Sequence, residues 1–354
     1  MEKVQCAVLG ATGVVGQHFL RLLVDHPFFS LKAVSASEAR AGQLLGEVKP
    51  VIAEGIPGEF ATLVFDPMDM KRLAQKGVKV AFSALPADIA QDVEKAAVEN
   101  GIYIFSNASA YRMDPAVPIM VPEINAEHLG MAIQQKQSAK AFMITNANCT
   151  ATGLTLALLP MLSLGFKKLV ISSYQAISGA GYPGVPAMDI FNNVIPYINS
   201  EEPKLVSETK KIFGTFDGKT LAHRDWEVYA HCIRVPTLIG HFISVHLELE
   251  NETDYDTVAG LCKNFQQREE LVDLPTAPRK PVIFTEDRFR PQPKMDVDAG
   301  EPIRARGMAV TIGRLSVEKK IVRFVTLSNN LVRGAAGGSV LNAELAFRQK
   351  AIRA

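Results

Sequence analysis

Val4-Gln-Cys-Ala-Val-Leu-Gly10-Ala-Thr-Gly13-Val-Val-Gly16, with Phe19, Leu20, Leu23 and Val24 after it, is the stretch that decides the fold. The apolar run Val4 to Leu9 has the length of a buried strand, and the later apolar residues recur at helical spacing. Between them stands Gly-x-x-Gly-x-x-Gly, a variant of the dinucleotide fingerprint, in which each glycine removes a Cβ where the chain turns tightly or lets a pyrophosphate approach. The helix beyond would offer free N–H groups to phosphate. Glycines between strand and helix also occur for packing alone, so it is the agreement of strand, glycines and helix that carries the reading. The candidate cofactor contacts here are Gly10, Thr12, Gly13, Val14 and Val15.

The alternation continues outward. Leu31 to Ala36, Val78 to Ala84 and Ile102 to Phe105 read as further strands, with a helix from Ile89 to Glu99 between the last two. That is the pattern of a parallel sheet covered on both faces, and it predicts an α/β, Rossmann-like doubly wound domain. The second strand ends in Ser35-Ala-Ser37-Glu38-Ala-Arg40, where such sheets select their nicotinamide cofactor. Ser37 and Arg40 suit a 2′-phosphate, whereas Glu38 suits free ribose hydroxyls, and Ser35 is a further candidate cofactor contact. The reading favours NADP and leaves NAD open.

A second strand-to-helix corner lies at Asn146-Ala-Asn-Cys149-Thr-Ala-Thr152, after the strand Ala141 to Thr145 and before a helix carrying Leu154, Leu156, Leu158, Leu159 and Leu162. A thiol at a helix N-terminus faces free N–H groups and the positive end of the macrodipole, which predicts a lowered pKa and a reactive thiolate. The same N–H groups would hold an oxyanion. Cys149 is therefore a candidate for covalent catalysis through a thioester, against the alternative of a small buried hydrophobe. Cys6, Cys232 and Cys262 take that alternative.

Beyond Cys149 the texture changes. Phe242 to Glu250 alternates strictly, with Ile243, Val245, Leu247 and Leu249 on one face and Ser244, His246, Glu248 and Glu250 on the other, as in an antiparallel sheet with one wet or partner-covered face. Ala309 to Gly313 and Ile321 to Leu327 add strands, and the Pro-rich stretch from Pro275 to Pro302 reads as a surface excursion. Among seven histidines, His241 at the mouth of the alternating strand is the candidate proton shuttle. Arg234, seven residues earlier, suits a substrate carboxylate. Glu201, Lys204, Glu208 and Lys211 read on their own as a solvated helix face.

A chain of 354 residues predicts two domains: a dinucleotide-binding domain over 1–148, and an α+β catalytic and dimerisation domain with a mostly antiparallel sheet over 149–329. The last helix within 330–354, read as Ser339 to Arg348, is expected to pack back on the first. A formal net charge of +1 gives no reason to expect a nucleic-acid or membrane partner. The four cysteines show no metal-ligand or Cys-x-x-Cys spacing and fit a reducing, cytoplasmic setting with no metal. No stretch approaches the ~18 apolar residues of a spanning helix, and no signal peptide is seen.

These motifs together resemble the archaeal and fungal branch of the aspartate-semialdehyde dehydrogenase family, nearly end to end. The marks are Gly10 to Gly16, Asn146-x-Asn-Cys149-Thr, Gln175-Ala-Ile-Ser-Gly-Ala-Gly-Tyr-Pro-Gly-Val-Pro186, Asn193-Val-Ile-Pro-Tyr-Ile198, Glu201-Glu-Pro-Lys204 with Glu208-Thr-Lys-Lys211, Arg234-Val-Pro with Gly-His241, and Arg333-Gly-Ala-Ala-Gly337. The resemblance implies NADPH-dependent reduction of L-aspartyl 4-phosphate to aspartate 4-semialdehyde and phosphate, in lysine, methionine and threonine biosynthesis. It makes Cys149 the nucleophile and His241 the general acid/base, with Asn148 a substrate contact beside the thiol. Arg234 would bind the substrate carboxylate, Glu201 its ammonium, Lys204 and Arg112 the phosphate, and Gln175 the acyl group. Ser83, Ala84, Leu85, Ser178, Gly179 and Asn330 would border the cofactor. Relatives form homodimers or homotetramers. The rivals are an acyl-CoA reductase on the same scaffold, of malonyl-CoA type, and a cofactor-binding scaffold without catalysis.

Overall fold

The computed structural model describes residues 2–353. Strand β1 (Val4–Leu9) takes the centre of a seven-stranded sheet with β2 (Phe29–Ser35), β3 (Phe65–Asp66), β4 (Val80–Ser83), β5 (Tyr103–Ser106), β6 (Ile119–Met120) and β7 (Met143–Asn146), in the order β3-β2-β1-β4-β5-β7-β6. Every pairing in it is parallel. Because the strand order reverses beside β1, a crevice opens at the carboxyl ends of the strands, where such sheets bind their ligands. The two-residue strands β3 and β6 are too short for periodicity to show.

A small ribbon of β9 (Thr215–Phe216) and β10 (Leu221–Ala222) stands apart from a six-stranded sheet. That sheet contains β8 (Phe166–Gln175), β11 (Glu227–Arg234), β12 (His241–Leu249), β13 (Val282–Phe284), β14 (Val310–Glu318) and β15 (Ile321–Ser328), in the order β11-β8-β12-β15-β14-β13. Its three central pairings are antiparallel and its two outer ones parallel. The alternation of β12 is realised: Ile243, Val245, Leu247 and Leu249 are buried and His246 is exposed. Those four pack with Leu154, Leu156 and Leu158 of the helix Cys149–Leu158, which is buried all round and so joins the second sheet to the end of β7.

Two features depart from the sequence reading. The stretch from Pro275 to Pro302 is not a surface excursion, since it supplies β13 and buries Ala277 and Asp296. Thr276 in it donates its backbone N–H to Glu344 Oε2 at 3.0 Å, and the other oxygen of that carboxylate meets His26 Nε2 at 2.9 Å. Three distant segments thus share one buried carboxylate, a link that local composition does not reveal. The last helix, Gly337–Arg348, begins earlier than expected, after a π-turn over Val332–Ala336, and Val340, Leu341, Leu345 and Ala346 join the core of the first sheet. Arg333 in the π-turn forms a buried bidentate pair with Glu123, Nη1–Oε1 2.7 Å and Nη2–Oε2 2.6 Å. Among the described residues no helix is long and apolar enough to cross a membrane.

Candidate active site

The glycine corner and the cysteine corner open on one cavity of about 1220 Å³. At the first, Gly16 packs on the loop itself: a Cβ there would lie 2.1 Å from Gly10 O, so only glycine lets the helix start so close to β1. That helix, Val14–Leu23, has no side-chain cap and no acidic residue in its first turn. Its N-terminal donors therefore face the cavity, as an anion site requires. Gly10, Thr12, Gly13, Val14, Val15, Ser37, Ala84, Leu85, Ser178, Gly179 and Asn330 all line the wall.

Three sequence candidates do not. Ser35 and Ser83 are fully buried within their strands. Arg40 is exposed and donates to Gln43 Oε1 at 2.9 Å, because the single 3₁₀ turn Glu38–Arg40 carries it past the cavity. Ser37, Glu38 and Ala39 stand at the wall instead.

At the second corner Cys149 is the first residue of its helix, half-buried at the cavity wall. Asn148 caps the helix, its side-chain oxygen accepting from Thr150 N at 2.9 Å and Ala151 N at 3.1 Å. These two first-turn donors are consumed, so the expected use of the helix N–H groups as an oxyanion site is reduced. The other end of the Asn148 side chain donates to Glu201, at 3.0 and 3.1 Å. Glu201 also accepts from Thr150 Oγ1 at 3.2 Å and Gln175 Nε2 at 3.0 Å. Gly334 closes the corner from behind, where a Cβ would fall 2.6 Å from Cys149 Cβ.

His241 is fully buried at the start of β12, with Nε2 3.2 Å from Cys149 Sγ and Nδ1 3.1 Å from Ala176 N. Arg234, at the end of β11, donates to Ala176 O at 2.7 Å. Asn330 bridges two segments, donating to Ser178 Oγ at 2.9 Å and accepting from Gly240 N at 2.9 Å. Arg112, Asn148 and Lys204 line the cavity, while Gln175, Glu201, Arg234 and His241 stand behind its wall.

The electrostatics correct one expectation. Burial pushes the Cys149 thiol up to about 12, and the Glu201 carboxylate adds to it, outweighing Arg112, Arg234 and the Thr150 N–H. Burial, then Arg234, takes His241 down to about 3. The resting pair is thus a neutral thiol beside a neutral imidazole, not the lowered thiol the helix terminus alone predicts.

The helix Glu201–Ile212 corrects another. Glu201, Glu208 and Lys211 are buried with Leu205 and Ile212 instead of forming a solvated face. Glu208 holds Arg112 Nη1 at 3.0 Å with one oxygen and Asn148 N at 2.6 Å with the other. Lys211 Nζ donates to the carbonyls of Arg112, Asp114 and Val117 at 2.7, 2.7 and 2.8 Å. Burial lowers Lys211 to about 8, with Asp114 and Glu208 acting against it. Glu208, Lys211, Ala176 and Gly334 escaped the sequence reading as site-shaping residues. For the first two a signal existed, since they share a helical stripe with Leu205 and Ile212.

A doubly wound sheet whose anion-ready glycine corner shares one cleft with a capped thiol and its imidazole defines a class, the dinucleotide-dependent oxidoreductases that work through an enzyme thiol. Comparison with known proteins narrows it. Residues 5–132 match the family model "Semialdehyde dehydrogenase, NAD binding domain", and residues 158–333 match "Semialdehyde dehydrogenase, dimerisation domain". The aspartate-semialdehyde dehydrogenase of Archaeoglobus fulgidus is 42% identical over 98% of both chains. The crystal structure of aspartate semialdehyde dehydrogenase with NADP from Candida albicans aligns with a TM-score of 0.88 at 32% identity, covering 99% of this chain and 100% of that one. A malonyl CoA reductase (NADP) of Metallosphaera sedula is 35% identical over 96% of each chain. The chain belongs to the aspartate-semialdehyde dehydrogenase family.

Proposed function

We propose that this protein reduces L-aspartyl 4-phosphate to L-aspartate 4-semialdehyde and phosphate with NADPH, through a thioester on Cys149. The observation that carries the reading is the meeting of Cys149 Sγ and His241 Nε2 at 3.2 Å at the wall of a cavity that Arg112, Lys204 and the open glycine corner also line. The substrate is strongly anionic, and these two cations are placed to hold its phosphoryl group beside the thiol. Arg234 and Glu201, just behind the wall, are the partners this reading assigns to its carboxylate and ammonium. Gln175, bonded to Glu201, orients the acyl group.

The cofactor site fits a dinucleotide, because uncapped helix N–H groups and a Cβ-free loop stand where a pyrophosphate approaches. Gly10, Thr12, Gly13, Val14 and Val15 would hold the pyrophosphate, and Ser178, Gly179 and Asn330 would flank the nicotinamide. When bound, the dihydronicotinamide supplies the hydride that reduces the acyl carbon. Ser37 and the turn after it, which line the cavity where Arg40 does not, would hold the 2′-phosphate.

Residues 1–148 with the C-terminal segment form the nucleotide-binding unit in this reading, and 149–329 the catalytic and dimerisation unit. Val170, Tyr174 and Tyr229 leave an exposed apolar face on β8 and β11, which supports assembly of a homodimer, or of a tetramer built from it, through this sheet. The test of function is NADPH oxidation with aspartyl phosphate set against malonyl-CoA. Turnover of the phosphate alone is expected, and turnover of the CoA ester alone would overturn the substrate.

A further inference from the structure

A second cavity, of about 370 Å³, shares Val14, Ser178, Gly181, Tyr182 and Leu331 as walls with the first. Neither Cys149 nor any of the candidate substrate contacts lines it. Val51, Ile52, Ile177, Leu238, Ile239 and Val297 make its surface largely apolar, and its size is that of a small-molecule site.

Two polar side chains interrupt that lining. His18 and Arg21 stand one turn apart on the helix Val14–Leu23, and both border the cavity. His18 is 6% exposed, and neither of its ring nitrogens has a partner among the described residues. Arg21 Nε is buried and unpartnered as well, while Nη1 holds Glu54 Oε1 at 3.0 Å. Buried polar groups are nearly always hydrogen-bonded, so orphaned nitrogens on one helix face mark a place that a ligand completes. Burial, then Arg21, takes His18 down to about 4 against the pull of Glu54, which leaves a neutral ring with one N–H to give.

These features select the ligand. An imidazole N–H and a guanidinium N–H side by side suit the two oxygens of a carboxylate, and the walls suit a short aliphatic chain behind it. The acidic groups at the cavity are already paired, Glu54 with Arg21 and Asp298 with Arg306 Nη2 at 2.7 Å. Neither stands as a free negative charge against an anion.

We propose that this cavity binds a short aliphatic carboxylate, held by His18 and Arg21, and that its occupancy is linked to the cofactor site through the shared wall. The helix that carries both donors is the one whose uncapped start opens on the dinucleotide cavity. The loop 177–184 between the cavities is tied down by Lys49 Nζ, which donates to Tyr182 Oη at 2.9 Å. Gly181 turns that loop at φ +73°, a conformation open to glycine. A ligand packed against Tyr182 and Val14 thus bears on the surface where a dinucleotide lies, and linkage between the two sites is reciprocal.

Calorimetric titration of the full-length protein with 4-methylpentanoate tests the site, with NADPH and phosphate present to fill the larger cavity. Saturable binding with a Kd of about 1 mM or below is expected, and the neutral 4-methylpentanamide should bind at least about tenfold more weakly. Equal binding of acid and amide, or no saturation by about 20 mM, would overturn the carboxylate site. His18→Phe removes a donor and Ile52→Trp fills the space from a loop, so each should abolish binding in a protein that melts like wild type. Binding that survives both would place the probe elsewhere and refute the assignment. With 15N-labelled histidine, the His18 signals should move on titration while those of His241 stay, and the reverse would assign the probe to the thiol site. Repeated without NADPH, the titration should give a Kd at least about threefold different, and equal values would overturn the linkage.

Discussion

The two strand-to-helix corners are built alike and finished differently. At Gly10 to Gly16 the helix start is left uncapped and open to the cavity. At Asn146 to Thr152 it is closed by Asn148, whose side chain takes two helix N–H groups while its own backbone N–H goes to Glu208. The open corner offers its donors to a charged ligand, as a phosphate site must. The closed corner spends them on its own structure and so fixes one side chain, Cys149, against His241. Backbone donors bind or they position, and this fold uses one corner for each.

The contrast breaks most completely with Cys149→Ser. Steady-state turnover should fall by roughly 10³ or more while NADPH binding, followed by titration, stays within about twofold of wild type. Comparable turnover in the variant would remove the thiol from the mechanism. Gly16→Ala attacks the open corner only, since its Cβ would strike Gly10 O. Cofactor affinity should drop by about two orders of magnitude, with the alkylation rate of Cys149 unchanged. A parallel loss of thiol reactivity would mean the corners are not independent.

Glu208→Gln loosens the closed corner from behind, because an amide cannot accept from both Arg112 and Asn148 N. In the aldehyde-oxidising direction the KM for phosphate should rise about tenfold and that for the aldehyde by less than about threefold. Equal rises would assign Glu208 a general structural role. The smallest effect is a slope. With a thiol pushed up to about 12, the iodoacetamide rate at Cys149 in the free protein should climb about tenfold per pH unit between about pH 6 and pH 9. A plateau there would indicate a resting thiolate–imidazolium pair.

Much of this was legible in the sequence, for reasons tied to range. The first strand, the glycine run and its helix are local patterns, as is the alternation from Ile243 to Leu249, and the structure realises them. Cys149 and His241 were legible because their residue types announce chemistry, whereas Arg112 and Lys204 entered only through the family resemblance. The structure brings the first two together and sets Arg112 and Lys204 on the shared cavity. What stayed hidden depends on partners far along the chain. Glu208 looks solvated until Arg112, 96 residues away, comes to meet it. Arg333 finds Glu123 across 210 residues. The lowered thiol pKa expected at a helix start failed because burial raises the thiol and the Glu201 carboxylate adds to it, neither of which a dipole argument contains.

The most direct test of the closed corner as a covalent site is intact-protein and peptide mass spectrometry after brief mixing with aspartyl phosphate in the absence of NADPH. The account predicts one aspartyl adduct per chain, located on the peptide carrying Cys149, lost on addition of NADPH and absent in Cys149→Ser. An unmodified protein that nonetheless turns over substrate, or an adduct on any other residue, would contradict it.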